Sequence, residues 1–222
     1  GVMIGSISHS VKGLLTRLDG GFYLVDSGLK KEDTERLEEG LDILKLTIDR
    51  IKKMIFDILY YSKEREVNSE EIDLIQFAND VADTCESKAA PYKITIHREF
   101  DRAPERMAAD PEFMQSALIN ILDNAIDACI MDKDKESHAV HFAIIDKPDG
   151  IRFEIRDNGV GMDQKTKEKI FNLFFSSKQN KGTGFGLFIT QNIIKQHGGA
   201  ISVKSTLGRG TCLTITLPKQ TA

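Results

Sequence analysis

The sequence predicts an α+β protein in which a helical hairpin precedes a domain of mixed helices and strands. Residues 1–66 contain no proline and repeat apolar residues at helical spacing, whereas the rest of the chain alternates short strand-like runs with helical segments. A charged, polar stretch over Glu64–Ser69 separates the two patterns. A chain of 222 residues is long enough for two small domains. We therefore predict one domain over residues 1–66 and another over residues 67–222.

The first predicted helix carries an apolar residue every three or four positions. These residues are Ile4, Ile7, Val11, Leu14, Leu18, Phe22, Val25 and Leu29. Gly28 and the lysines after it predict the end of the helix, and Glu32-Asp33-Thr34 predicts the cap of the next one.

The second predicted helix keeps a strict heptad pattern through Leu37, Leu41, Leu44, Ile48, Ile51, Ile55 and Ile58. Such a pattern is typical of helices packed side by side at a shallow angle. A lone hairpin cannot cover apolar stripes of this length, so we expect a homodimer in which two hairpins form a four-helix bundle.

The second domain is predicted to mix helices with short strands, separated by glycine and proline turns. The predicted strands lie near Ile72–Leu74 and at Lys93–Glu99, Ala139–Asp146, Ile151–Arg156, Ala200–Ser205 and Thr211–Leu217. The predicted helices cover Ile75–Ala89, a segment that opens at Asp110-Pro111 and runs to about Met131, and Gly186–Gln196.

Charge, cysteine content and hydropathy limit the classes of protein to which the chain can belong. The net charge of −4 gives no reason to expect a nucleic acid partner. Three scattered cysteines favour reduced thiols over a disulfide framework or a zinc site, and no apolar run reaches membrane-spanning length. We therefore expect a cytoplasmic chain. Because it starts inside an amphipathic helix, we also expect it to be part of a longer parent, and membrane anchoring of that parent stays open.

Polar residues on the helix after Pro111 indicate a binding site. Asn120, Asn124 and Asp127 share one stripe, opposite an apolar face. Asparagine is a poor helix former, so two of them one turn apart suggest a binding role. Their amide oxygens suit a hard cation such as Mg²⁺. The alternative is an ordinary solvated helix face.

Two glycine-containing loops follow. Asp157 ends a predicted strand and is followed by Gly159 and Gly161, whose missing side chains permit close approach. Gly182, Gly184 and Gly186 then lead into a helix, and such an N-terminus binds phosphate readily. Each loop alone is a weak signal.

Taken in order, NILDNAIDA, DNGVGM, FNLFFSSK and GTGFGLFI resemble the N, G1, F and G2 boxes of histidine kinases, within the GHKL ATPase superfamily. The resemblance covers residues 70–218, including a closing helix and hairpin. It implies a GHKL-type α/β sandwich that binds ATP and Mg²⁺.

The resemblance also implies roles for individual residues. Asn124 would hold Mg²⁺, Asn120 would assist at the phosphates, and Asp127 lies on the same stripe. Asp157 would accept a hydrogen bond from the adenine amino group. The remaining nucleotide-binding residues implied by the boxes are Gly159, Gly161, Lys178, Gly182, Thr183, Gly184, Gly186 and Leu187.

His9 is the predicted phosphoacceptor. At about 100° per residue, it falls roughly 175° from the centre of the apolar seam, so we expect it to face solvent. Histidine kinases place the phosphorylated histidine on this outer face, and they pass the phosphoryl group to an aspartate of a response-regulator receiver domain. The other histidines, His97, His138, His141 and His197, are given structural roles.

The segment around His9 departs from the family pattern, which has an acidic residue next and a polar residue at the fourth position. Here these positions are Ser10 and Gly13. We therefore expect a kinase with little phosphatase activity. Two alternatives stay open from sequence: an ATPase or serine kinase of the same superfamily, and a noncatalytic dimeric scaffold.

Overall fold

The computed structural model describes residues 2–62, 67–173, 175–176 and 184–219, without the side chains of residues 2–10, 53 and 56–62. The chain forms two compact units, Gly1–Glu64 with Asn172–Phe185, and Arg65–Phe171 with Gly186–Ala222. No helix in the described ranges is both long and apolar enough to cross a membrane.

The first unit contains two long helices, α1 (Val2–Lys31) and α2 (Thr34–Ser62). Helix α1 ends at Lys31, within the stop that the sequence predicted from Gly28 and the two lysines after it. Glu32 takes the left-handed conformation (φ 52°), and the Asp33 amide donates to the Gly28 carbonyl at 2.9 Å, which closes the helix. Gly28 instead permits close packing, since a Cβ there would lie 2.9 Å from the Leu37 nitrogen.

The two helices approach closely where glycines face each other. A Cβ on Gly40 would lie 3.0 Å from the Gly21 carbonyl oxygen, and one on Gly21 would lie 2.9 Å from the Leu44 side chain. Side chains larger than hydrogen would therefore force the helices apart. Gly20, by contrast, meets no atom within 4 Å.

The predicted heptad seam of α2 divides into two lines. Leu37, Leu44 and Ile51 are half-buried, whereas Leu41, Ile48 and Ile55 are exposed. On α1 the exposed large apolar residues include a second line at seven-residue spacing, which consists of Leu15, Phe22 and Leu29. The isolated hairpin thus leaves an apolar line on each helix in solvent.

The second unit is a mixed sheet with helices. Its strands are β1 (Glu70–Asp73), β2 (Ile94–Arg102), β3 (Arg106–Ala109), β4 (His138–Lys147), β5 (Gly150–Asp157), β6 (Ala200–Thr206) and β7 (Gly210–Leu217). Its helices are α3 (Leu74–Ala89), α4 (Pro111–Met131), α5 (Gln164–Lys167) and α6 (Gly186–Gln196), with a 3₁₀ turn at Ala90–Tyr92.

Five strands form the main sheet in the order β2-β4-β5-β7-β6, with only β2 and β4 parallel. Alternate residues such as Val140, Phe142 and Ile144 are fully buried on the face covered by helices. The opposite face carries polar residues such as Glu99, His141 and Arg156. This two-layer arrangement confirms the predicted α+β sandwich.

Two short elements were not predicted. Strand β3 pairs with β1 in a separate two-stranded sheet, and α5 is a single turn capped by the Asp163 side chain. Elements of four residues are too short to show a hydrophobic period.

A buried histidine connects the start of α4 to the end of α6. The Asp110 amide donates to His197 Nε2 at 3.0 Å, so His197 Nδ1 must carry the proton that it donates to the Ile193 carbonyl at 2.8 Å. Both ring nitrogens are therefore used. The structural role predicted for His197 agrees with this arrangement.

Candidate functional site

Asp157 is the last residue of β5, and it is only 6% exposed. Its Oδ1 accepts hydrogen bonds from the amides of Gly159 at 2.9 Å and Thr211 at 3.3 Å. Burial raises the pKa of Asp157 to about 6, although these hydrogen bonds act in the opposite direction. Among the described residues, both bonds go to Oδ1, so Oδ2 is the oxygen left to accept from a ligand.

The glycines after Asp157 fit between two parts of the fold. A Cβ on Gly159 would lie 2.4 Å from the Ala128 carbonyl carbon near the end of α4. Gly161 has a φ of 64°, and a Cβ there would lie 2.1 Å from the Thr206 carbonyl oxygen. Only glycine fits both positions, as the sequence predicted from the need for close approach.

Two hydroxyl residues that the sequence analysis missed support this loop. Ser205 Oγ accepts from the Met162 amide at 2.8 Å and lies 2.9 Å from Thr211 Oγ1. In the pairing of β5 with β7, Cys212 lies opposite Arg156. The preceding residue, Thr211, therefore lies beside Asp157, and its amide donates to that carboxylate. The sequence showed only a hairpin here, because strand register is not readable from one strand.

The loop between α4 and β4 contributes another unpredicted contact. The buried Asp132 carboxylate accepts from Lys135 Nζ, which also donates to the Gly159 carbonyl at 3.2 Å. The Lys135 ammonium and the Asp134 amide hold the pKa of Asp132 at about 2. Lys135 thereby holds the Gly159 carbonyl of the glycine loop from the segment between α4 and β4.

Asn120 contacts the helix that the second glycine loop opens. Its Nδ2 donates to Thr190 Oγ1 at 2.9 Å. Gly186 is the first residue of α6, and a Cβ there would lie 2.2 Å from Asn120 Oδ1. In the sequence, only the family pattern linked Asn120 to Gly186. The structure brings these two residues into contact.

Asn124 and Asp127 lie about one and two turns further along α4 than Asn120, and both are half-buried. Asp127 Oδ1 is 2.8 Å from Lys88 Nζ of α3, an ion pair that the sequence analysis did not predict. Asn120, Asn124 and Asp127 share one helix face, as predicted from their spacing.

The remaining predicted residues are only partly described. Gly184 has a φ of 74°, which favours glycine, and Leu187 is half-buried in the first turn of α6. Lys178, Gly182 and Thr183 lie outside the described residues. His9 lies within α1, and its side chain is outside the description.

These features define a class: an α/β sandwich in which a buried carboxylate, a glycine loop and a polar helix face converge. The family model of the histidine kinase-, DNA gyrase B-, and HSP90-like ATPases matches residues 109–221, just over half of the chain. The chain therefore belongs to this ATPase family.

Proteins similar in sequence indicate which branch of this ATPase family is nearest. The chain is 28% identical over 219 residues to the signal transduction histidine-protein kinase AtoS of Escherichia coli K12, covering 98% of this chain and 34% of AtoS. It thus spans about a third of that relative's length.

Two solved structures of the histidine kinase ThkA are also similar. The catalytic domain is 30% identical with a TM-score of 0.59, covering 68% of this chain and 96% of that one. ThkA in complex with the response regulator protein TrrA is 26% identical with a TM-score of 0.75, covering 99% of this chain and 62% of that one. The chain's relatives are thus sensor histidine kinases.

Proposed function

We propose that this chain is the catalytic core of a sensor histidine kinase, which binds Mg-ATP, phosphorylates His9 and transfers the phosphoryl group to a receiver aspartate. The observation that carries the proposal is the buried Asp157 carboxylate beneath the glycine loop, in a chain of this ATPase family. Its burial and fixed Oδ1 suit a carboxylate that recognises one polar group of a ligand.

Asp157 binds the adenine in this proposal. The amino group of adenine is a donor, and Oδ2 of Asp157 is the acceptor. The phosphates then extend toward the N-terminus of α6, where backbone amides and the helix dipole favour anions. By the family resemblance, Gly186 and Leu187 would contact the phosphates with their backbone amides. The same resemblance assigns phosphate contacts to Lys178, Gly182, Thr183 and Gly184, and the first three of these lie outside the described residues.

Mg²⁺ fits the chemistry of the α4 residues. The described residues hold no cluster of three or more His, Cys, Asp or Glu that could bind a metal by themselves. Mg²⁺ commonly keeps several waters and uses one or two protein oxygens with substrate phosphates. Asn124 would supply the protein oxygen, and the ion would neutralise charge on the phosphates.

Asn120 stays in place to assist at the phosphates because Thr190 and Gly186 hold its amide. The nucleophile is the unprotonated imidazole of His9. A bond forms between its nitrogen and the γ-phosphorus, while the bond from that phosphorus to the β–γ bridging oxygen breaks. ADP leaves with the electron pair, and positioning and electrostatics supply most of the catalysis.

The homodimer follows from the exposed apolar lines on α1 and α2. Leu15, Phe22 and Leu29 on α1, and Leu41, Ile48 and Ile55 on α2, repeat at seven-residue spacing. A second copy presents the same lines, so a two-fold arrangement of hairpins would cover them in a four-helix bundle.

The signalling partners are proposed from the relatives. The ThkA structure contains a response regulator, so a receiver domain is the proposed acceptor for this chain. Relatives of about three times this length favour a parent protein with a sensor domain upstream. We place this core in the cytoplasm, where ATP and receiver domains are available.

The direct test is incubation with γ-labelled ATP and Mg²⁺. We expect label on the wild-type chain that is acid-labile and base-stable, as phosphohistidine is. His9→Gln should lose the label and keep ATP binding, while His97→Gln, on the polar face of the sheet, should keep both. Acid-stable label would indicate a serine kinase. ATP turnover without label would indicate an ATPase, and absence of nucleotide binding would favour a scaffold.

A further inference from the structure

Lys88 joins α3 to two carboxylates of α4. Its Nζ lies 3.2 Å from Asp123 Oδ1 and 2.8 Å from Asp127 Oδ1. It also donates to the Asp123 carbonyl at 3.4 Å. All three side chains are about one-third exposed (36%, 34% and 30%), so the cluster is partly shielded from water.

The two carboxylates flank the proposed metal residue. Asp123 immediately precedes Asn124, and Asp127 follows it by one turn on the same face as Asn120. A nucleotide triphosphate is strongly anionic, and two uncompensated carboxylates beside it would repel it. A site with this composition needs a compensating cation.

We propose that Lys88 is an electrostatic positioning residue of the nucleotide site: it neutralises Asp123 and Asp127 so that a polyphosphate can bind beside Asn124. This inference rests on the proposed function, because it takes the α4 face to be where the phosphates lie. Lys88 acts through the two aspartates and does not itself touch the ligand.

The protonation of Lys88 agrees with this role. Partial burial alone would lower its pKa, but hydrogen bonds and charge interactions with Asp127 and Asp123 raise it overall. The ammonium therefore remains charged throughout the pH range in which a kinase works.

The test measures ATP affinity in variants that separate the charge of Lys88 from its packing. Lys88→Met keeps most of the length of the side chain and removes the charge, and we expect about three- to tenfold weaker ATP binding at low salt. The difference should shrink at about 0.5 M salt, because ions screen partly exposed charges. Lys88→Arg should bind ATP within about twofold of wild type.

Neutralising the aspartates provides the rescue. Lys88→Met combined with Asp123→Asn and Asp127→Asn removes the excess negative charge, so affinity should return to within about threefold of wild type. A purely structural role would change the unfolding temperature without this recovery of affinity. If Lys88→Met does not fold, Asp123→Asn with Asp127→Asn on intact Lys88 should bind ATP several-fold tighter.

Lys219→Met is the matched control. Lys219 Nζ lies 2.7 Å from Asp146 Oδ1, and Asp146 is near the end of β4 opposite to the Asp157 end of the sheet. Removing this pair should leave ATP affinity unchanged. Equal affinity of wild type and Lys88→Met at low salt, or an unrescued triple variant, would overturn the proposal. A wild-type chain that binds no ATP would instead refute the proposed function.

Discussion

At the scale of single residues, three glycines of the two loops leave no room for a side chain. Gly159, Gly161 and Gly186 were predicted from their residue type, and each lies against atoms that exclude a side chain. Thr211, Ser205, Lys135 and Lys88 were missed, because common polar residues carry no signal until strand register and helix packing bring them to the site. The ligand-facing residues are proposed from the family pattern, and the geometry of the fold identified the side chains that support them.

If Asp157 accepts from the adenine as proposed, nucleotide affinity should depend on pH. The pKa of Asp157, about 6, means that the acceptor becomes protonated below neutrality, so its contribution to binding should weaken by up to about tenfold per pH unit below 6. Titration calorimetry with ATP from pH 7.5 to 5 measures this. Because the phosphates of ATP titrate in the same range, Asp157→Asn in the same buffers is the control.

The variant also has an expected effect at neutral pH. Asp157→Asn replaces an acceptor with a donor on one side and should cost on the order of 1.5–3 kcal/mol of ATP affinity. In the free protein the raised pKa means that folding favours the protonated form. The free energy of unfolding contributed by Asp157 therefore falls as pH rises from about 4 to 6, and the variant should lose this dependence. An unchanged affinity would remove Asp157 from the site.

Secondary-structure elements were predicted well where they are long and periodic. The bounds of α6 agree with the prediction, and the opening of α4 at Pro111 follows from its capping aspartate. Helix α1 ends within the predicted stop, but Gly28 itself serves helix packing, and a sequence does not show whether a glycine ends a helix or admits a neighbour. Packing information of this kind is nonlocal.

His197 should matter for stability through the two helices that it connects. His197→Ala would leave the Asp110 amide without its acceptor and remove a buried ring, so we expect a loss of about 2–4 kcal/mol in the free energy of unfolding. Urea denaturation followed by circular dichroism measures it. His97→Ala is the control: the exposed His97 ring stacks on that of His141 (centroids 4.7 Å apart) on the polar face, and we expect its loss to change stability by less than about 1 kcal/mol. Similar values for both variants would contradict the role of His197.

At the scale of the whole molecule, the sequence predicted a helical region followed by a domain of mixed helices and strands, and the structure has this order. The domain boundary between residues 66 and 67 stays a prediction. The sequence could not give the sheet order, since β2 pairs with β4 across the whole of α4 and β7 inserts between β5 and β6. Such pairings join residues that are far apart in sequence. The homodimer stays a prediction, and the exposed lines on the hairpin show where to test it.

Ile48→Asp should shift the chain from dimer to monomer, because it puts a charge in the middle of the exposed α2 line. Light scattering at micromolar concentration measures the mass. Leu46→Asp is the matched control: Leu46 is even more exposed (59% against 45%) and lies about 160° around the helix from Ile48. A monomeric wild type, or equal dissociation by both variants, would refute the proposed interface.

The position of β7 has a consequence for how the chain is made. This strand follows all the others in synthesis, yet it is internal to the sheet, with β5 on one side and β6 on the other. Until Leu217 has left the ribosome, the edge of β5 stays open and its buried residues have no cover on that side. Helices α1 and α2 are adjacent in sequence, so they can associate much earlier. A chain truncated before β7 would therefore have a formed hairpin and an incomplete, aggregation-prone sheet.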